Sequence, residues 1–109
     1  MSDLSLRHHP IGPLLDGVVA AGESRFRIDA ARLEHFERHG YVSGIRILDA
    51  GQIAQLRAEL EVFLDPEHEG RELWHEYHVN ENVDPEAVVF HALGAWRLSV
   101  GFHDLLWHP

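Results

Sequence analysis

The sequence predicts an α+β fold that is mainly helical in this segment, with one or two short strands. Apolar residues recur at helical spacing in the segments that follow Asp29 and Asp49. The run YVSGIRIL between them is rich in β-branched and aromatic residues, which is typical of strands. With 45% hydrophobic and 25% charged residues, the 109-residue chain has the composition of one globular domain with a modest core.

Two helices have clear start and stop signals. Asp29 can cap the first helix through its carboxylate, and Gly40 suits the left-handed position just beyond the last turn. Asp49 and Gln52 have the spacing of a capping box at the start of the second helix. We expect that helix to end before Pro66, because a proline disfavours helical angles in the residue that precedes it.

The two ends of the chain give weaker signals. Residues 1–28 contain two prolines and three glycines and predict an irregular lead-in to a helical part over residues 29–109. The combination Asp84-Pro85-Glu86 predicts a helix start, so we expect AVVFHALGAWRL to be helical, followed by a short helix capped by Ser99. The last residues are apolar and aromatic, which indicates the first part of a larger fold.

Charge and composition exclude several classes of partner. The net charge of −9 argues against nucleic acid, whose phosphates require clustered lysine and arginine. The absence of cysteine excludes disulfides and thiolate metal sites. The apolar stretch at residues 14–21 is too short and too interrupted for a membrane span or a signal peptide, so we expect a cytoplasmic protein with no membrane partner.

The stretch ELWHEYHVNEN is the main concentration of polar side chains. Glu72 and His75 have the spacing used in carboxylate-bridged di-iron bundles, but those bundles need a second copy of the motif. If the stretch is extended, alternate residues share a face, so His78 and Asn80 would point to the same side. Two interpretations remain open: a solvated loop with one aromatic anchor, or a pocket wall that contacts a polar ligand.

Other histidines have structural interpretations. His35 and His39 share a helix face and would hold zinc only with a third ligand, and a histidine at a helix end also complements the helix dipole. We expect His91 to be a hydrogen-bonded residue inside an apolar helix, and His103 and His108 to be structural. The residues alone therefore predict no catalytic residue and no metal ligand.

Two longer runs carry a family resemblance. FERHGYVSGIRILDAGQIAQLRAELEVFL resembles the opening of the phytanoyl-CoA dioxygenase family, whose members often begin with a helix ending near F…GY, a short strand and a capped helix. FHALGAWRLSVGFHDLLWHP is similar to the helices that precede the catalytic barrel of such proteins. The resemblance covers about residues 29–109. It implies a helical N-terminal part that precedes a double-stranded β-helix, or jelly roll, which is missing here.

The resemblance also implies a chemistry. Family members hydroxylate an unactivated C–H bond of a small organic substrate, using Fe(II) held by His-x-Asp and a distant histidine, with 2-oxoglutarate beside the iron. No His-x-Asp occurs in this sequence, so no catalytic, iron or 2-oxoglutarate residue carries over, and we expect this chain alone to be inactive and to bind neither cofactor. The polar stretch would then lie near the mouth of the active site, with His75, His78 and Asn80 as candidate substrate contacts.

The sequence leaves three interpretations of function and partner open. Under the family interpretation, the apolar helix faces pack against the missing C-terminal barrel or self-associate. The alternative is a small helical protein-interaction or homodimerisation domain that presents Trp96, Phe102 and Trp107. A stand-alone metal protein that uses its histidines and glutamates is the third.

Overall fold

In a computed structural model of the protein, residues 1–21 and 26–109 are described. The helices of these ranges are α1 (Asp16–Ala21), α2 (Ala30–His39), α3 (Ala50–Val62) and α4 (Val100–Leu105). The strands β1 (Glu76–His78) and β2 (His91–Leu93) form an antiparallel pair. Short 3-10 turns lie at Leu4–Leu6, Arg71–Leu73 and Ala95–Arg97. The predicted mixture of helices with one or two short strands is confirmed.

Both long helices begin as the sequence predicts. The Asp29 carboxylate accepts a hydrogen bond from the Arg32 backbone N–H at 2.8 Å, and Gly40 adopts a φ of 79° at the end of α2. At the start of α3, the Gln52 N–H donates to the Asp49 carboxylate at 2.8 Å, and the Asp49 N–H donates to the Gln52 side-chain oxygen at 2.7 Å. This reciprocal pair is a capping box, which satisfies two backbone donors of the helix end.

The strands do not lie where the sequence predicts them. The run YVSGIRIL forms no strand, since residues 41–48 are irregular. Gly44 in this run has a φ of 74°, which interrupts an extended backbone. No strand of the described ranges pairs with the run, and an unpaired strand leaves its backbone N–H and C=O groups without partners.

The prediction that AVVFHALGAWRL forms a helix is also wrong. Asp84 begins a turn, closed by the hydrogen bond from the Ala87 N–H to the Asp84 carbonyl at 3.2 Å, and the chain then extends into β2. The β-branched Val88 and Val89 favour extended backbone, and Gly94 has a φ of 120°, which an α-helix excludes. The pairing of β2 with β1 then provides the hydrogen bonds that a helix would have provided.

The core lies where α1, α3 and α4 meet. The buried residues Leu14, Leu15, Val18 and Leu56 form one cluster, against which Phe26, Leu48, Phe102 and Leu105 pack. The sequence predicts an irregular lead-in over residues 1–28, yet three of these four buried residues lie there, in and just before α1. Each such side chain contributes roughly 1.5–3 kcal/mol when it is fully buried.

A buried carboxylate attaches the N-terminal segment to α4. Asp104 is 0% exposed and accepts hydrogen bonds from the backbone N–H groups of Ile11 at 2.7 Å and Gly12 at 2.6 Å. The neighbouring His103 has its Nδ1 3.1 Å from Asp104 and its Nε2 3.0 Å from the Arg7 carbonyl. The buried charge is therefore hydrogen-bonded on both oxygens, as burial requires.

A second carboxylate joins α3 to α4. Glu59 of α3 accepts hydrogen bonds from the Ser99 hydroxyl and, at 2.7 Å, from the Gly101 N–H in the first turn of α4. Ser99 also accepts from the Phe102 N–H at 3.3 Å and so caps α4, as the sequence predicts. Glu59 and Ser99 together fix the direction of the last helix.

Helix α2 lies outside this core. It contains no buried residue, and its apolar side chains Leu33 and Phe36 are 46% and 47% exposed. The radius of gyration of the chain is 16.9 Å. A compact domain of similar length has a radius of about 13 Å. The apolar face of α2 is therefore open to solvent.

None of the helices in the described ranges combines the length and the apolar character that crossing a bilayer requires.

A pair of leucine substitutions tests this division. Leu15→Ala should lower the free energy of unfolding by about 2–5 kcal/mol, because it removes buried apolar surface and leaves a cavity. Leu33→Ala removes the same atoms from the exposed face of α2 and should change the free energy of unfolding by about 0.5 kcal/mol or less. Urea unfolding followed by circular dichroism measures both. Equal losses would show that α2 belongs to the core.

Candidate functional site on the β-hairpin

The polar stretch singled out by the sequence forms the first half of a β-hairpin. The pairs across the two strands are Glu76 with Leu93, Tyr77 with Ala92, and His78 with His91. Two further backbone hydrogen bonds, each 2.9 Å long, run from the His75 N–H to the Leu93 carbonyl and from the Glu81 N–H to the Val89 carbonyl. The hairpin is thus held by backbone pairing beyond the ends of its strands.

One face of the hairpin is fixed to the end of α3 by aromatic side chains. The Tyr77 hydroxyl donates to the Phe63 carbonyl at 2.6 Å, and burial raises the pKa of that hydroxyl, so it stays protonated as a donor. The Trp74 ring lies edge-on to the Phe63 ring, with centroids 5.0 Å apart. The sequence predicted one aromatic anchor in this stretch, and the structure has two.

His68 completes this anchored face. It is 6% exposed, its Nε2 accepts a hydrogen bond from the Trp74 Nε1–H at 2.9 Å, and its Nδ1 lies 2.9 Å from the Glu69 carbonyl. Because a carbonyl only accepts, Nδ1 carries the proton and the ring is neutral. Both ring nitrogens are used in the fold, so His68 is structural.

The base of the hairpin is held by Arg97. Its guanidinium donates to the Leu73 carbonyl at 2.6 Å and forms an ion pair with Asp3 at 2.5 Å. The Arg97 guanidinium, and next the Ser5 hydroxyl, hold the pKa of Asp3 well below its usual range. The N-terminal residues are thereby joined to the segment that precedes β1.

The opposite face of the hairpin is exposed and carries four ionisable side chains, which we call the hairpin cluster: Glu76, His78, Glu81 and His91. His78 Nε2 lies 3.0 Å from a Glu76 oxygen, and His91 Nδ1 lies 3.1 Å from a Glu81 oxygen. The two imidazole rings are 5.8 Å apart. Three potential ligand atoms, one each from Glu76, Glu81 and His91, lie within 4.8 Å of one another.

The structure separates the three predicted substrate contacts. The His75 ring lies against Trp96, with centroids 5.6 Å apart, whereas His78 belongs to the hairpin cluster. The Asn80 side-chain oxygen accepts hydrogen bonds from the backbone N–H groups of Asn82 and Val89, both at 2.9 Å. Asn80 therefore shapes the loop between the strands.

The prediction for His91 is wrong. We expected a half-buried residue inside an apolar helix, but His91 is exposed on β2 and faces Glu81. Its place in the cluster follows from the strand pairing, which puts it opposite His78. The run of Val88, Val89 and Phe90 before it is also typical of a strand and is the signal that sequence reasoning missed.

The other predicted pairs of histidines and acids do not form a metal centre. The rings of His35 and His39 are 4.5 Å apart, with Tyr41 against His35. Among the described residues, no imidazole or carboxylate completes a three-ligand group with them. In the pair His103–Asp104, both ring nitrogens and both carboxylate oxygens are engaged within the fold.

The described residues do not form the His-x-Asp iron site with 2-oxoglutarate beside it that the family resemblance implies. The buried pair His103–Asp104 has no free ligand atom. The hairpin cluster has two carboxylates and no arginine among its members, so it disfavours a dianionic oxo-acid. No step of an oxygenase reaction is therefore assigned to these residues.

Comparison of the chain with protein-family models, with curated proteins and with solved structures gives no match in any of the three. The phytanoyl-CoA dioxygenase resemblance therefore rests on the sequence motifs alone.

A substitution at Asp3 tests the contact that holds the hairpin base. Because the pKa of Asp3 is depressed in the folded chain, its ion pair stabilises the fold above the ordinary aspartate pKa, and that stability is lost as pH falls. Asp3→Asn should therefore lower the melting temperature near neutral pH and have a progressively smaller effect below about pH 4. Thermal melts across this range measure the effect.

The control is the same substitution in an Arg97→Gln background. There the largest cause of the depressed pKa is absent and only the contacts of Ser5 remain, so the effect of Asp3→Asn should grow much less as pH rises. A pH dependence of undiminished size without Arg97 would contradict the assigned contact.

Proposed function

We propose that this chain is the helical N-terminal part of an Fe(II)/2-oxoglutarate-dependent oxygenase of the phytanoyl-CoA dioxygenase kind, and that it supports an active site formed elsewhere. One observation carries the proposal: α2 is amphipathic and capped at both ends, yet it buries none of its residues. A helix of ten residues is marginal in water unless its apolar face packs against something.

Apolar side chains are also exposed in the segment that follows α2. Tyr41 and Ile47 are 58% and 50% exposed, and Ile53 of α3 is 40% exposed. A shallow hollow lies beside them, lined by Ile45, Ile47, Leu48 and Ile53. Contiguous exposed apolar surface marks a place of interaction. A β-sheet layer that covers this side would complete the usual two-layer packing of helix on sheet.

A second open region lies between the hairpin and the last helix. An apolar groove there is lined in part by Leu60, Trp74, Val89, Phe90 and Phe102. Leu106 and Trp107, which follow α4, are 64% and 42% exposed. The jelly roll of the proposed oxygenase would cover these side chains together with α2. This arrangement is supported by the exposure of apolar side chains both on α2 and in the region of the hairpin and the last helix.

The hairpin would then lie near the mouth of the barrel, as the resemblance implies. His75 and His78 are exposed and offer ring nitrogens to a substrate, whereas the Asn80 side-chain oxygen is used by the loop. In this arrangement His75→Ala weakens substrate binding and leaves the iron content of the complete protein unchanged.

The same surfaces also fit the alternative function, a homodimerisation domain in which a second copy covers α2. The two functions differ in the complete product of the gene that encodes this chain. Under the oxygenase proposal, that product converts 2-oxoglutarate to succinate only when Fe(II) is supplied, and the 109-residue chain does not. A complete product that binds no Fe(II), or that ends with this chain, contradicts it.

A serine substitution on α2 tests whether its apolar face is an interaction surface. The isolated chain is expected to self-associate, and Phe36→Ser should weaken that association at least about tenfold, because it removes roughly 1.5–3 kcal/mol of burial. Ala31→Ser is the matched control, since it adds serine to the same helix at an exposed, small side chain. Light scattering across a dilution series measures both.

Two outcomes would contradict this role of α2. One is an isolated chain that remains monomeric and melts in a single sharp transition. The other is an equal effect of Phe36→Ser and Ala31→Ser on association.

A further inference from the structure

We propose that the hairpin cluster binds one divalent transition-metal ion of the zinc class, with Glu76, Glu81 and His91 as ligands and His78 as the fourth. The site is separate from the iron centre of the proposed oxygenase and does not depend on that proposal. Imidazole nitrogen and carboxylate oxygen are both ligands of zinc, and four-coordinate sites are its usual arrangement.

The distances already approach those of a metal site. Zinc lies about 2.0–2.2 Å from nitrogen and oxygen ligands, so its ligands lie roughly 3.3 Å from one another in a tetrahedron. One ligand atom each from Glu76, Glu81 and His91 lie within 4.8 Å of one another. His78 Nε2 is 3.0 Å from Glu76 and 3.9 Å from Glu81. Small side-chain rotations close these gaps, and the exposure of all four residues permits them.

The hairpin backbone holds the four side chains on one face. Glu76 and His78 are two residues apart on β1 and therefore project to the same side. His91 is the direct cross-strand partner of His78. Glu81 is held by its backbone hydrogen bond to Val89 at 2.9 Å. Three of the ligands thus come from paired strands that the aromatic side chains fix to α3, and Glu81 comes from the connecting segment, where its backbone is paired with Val89.

The charges of the cluster favour a dication. Two carboxylates and two neutral imidazoles carry a charge of −2, which balances a divalent ion, and the whole chain is acidic at −9. The nitrogen ligands favour zinc or its transition-metal neighbours over magnesium and calcium, which prefer oxygen alone. Each histidine already contacts a glutamate of the cluster.

Calorimetric titration of the 109-residue chain with zinc chloride tests the site. One equivalent of Zn²⁺ should bind saturably, at a concentration where light scattering shows no change in mass, and Mg²⁺ should not compete. His91→Ala and Glu81→Gln should each weaken Zn²⁺ binding at least about tenfold. Glu81→Gln keeps the size and shape of the side chain, so it separates ligand loss from misfolding.

His39→Ala is the matched control, because His39 is an exposed histidine outside the hairpin, and it should leave Zn²⁺ affinity unchanged. The proposal is overturned if no saturable Zn²⁺ binding occurs or if Glu81→Gln and His91→Ala bind Zn²⁺ like the unsubstituted chain. An equal loss in His39→Ala would place the metal on scattered surface histidines and would also overturn it.

Discussion

Among the described residues, the buried apolar side chains all lie outside α2, and this is the constraint on which the rest of the structure depends. The cluster of Leu14, Leu15, Val18 and Leu56 joins the N-terminal segment to α3, while α2 has no buried residue. Hydrophobic burial is the dominant favourable term in folding, so α2 and the core segments differ in what holds them. The exposed face of α2 is where we expect a further layer of structure to pack.

Hydrogen-bonded polar groups fix how the segments are arranged around the small core. The hydrogen bonds of Asp104 to Ile11 and Gly12 place the N-terminal segment on α4, and Glu59 places α3 against the same helix. Each of these carboxylates accepts several hydrogen bonds, and breaking a contact to Asp104, which is 0% exposed, leaves a buried charge less satisfied. These interactions, together with Arg97, bring the hairpin base and the N-terminus together.

The hairpin shows how one segment acquires both a structural and a chemical face. Tyr77 of β1 packs on the end of α3, so its neighbours in the strand, Glu76 and His78, are directed to solvent. This alternation follows from the two-residue period of a strand. The pairing with β2 then adds His91 to the face that already carries Glu76 and His78.

Local signals in the sequence predicted the ends of α2 and the start of α3, but they missed α1 and predicted a helix where β2 lies. Asp29, Gly40, Asp49 and Gln52 determine helix ends through contacts within a few residues, and the structure confirms them. The strands depend on pairing between residues far apart in sequence, which no local pattern specifies. The same limit hid the hairpin cluster, because Glu81 and His91 meet only after β1 and β2 pair.

Amide hydrogen exchange tests most directly whether α2 lacks a partner within this chain. In the monomeric 109-residue chain, the amides of α2 should exchange far faster than those around Leu56 in α3, because α2 has no buried residue and Leu56 belongs to the core. In the complete gene product, the amides of α2 should become protected. Protection of α2 equal to that of α3 in the monomeric chain would contradict the account.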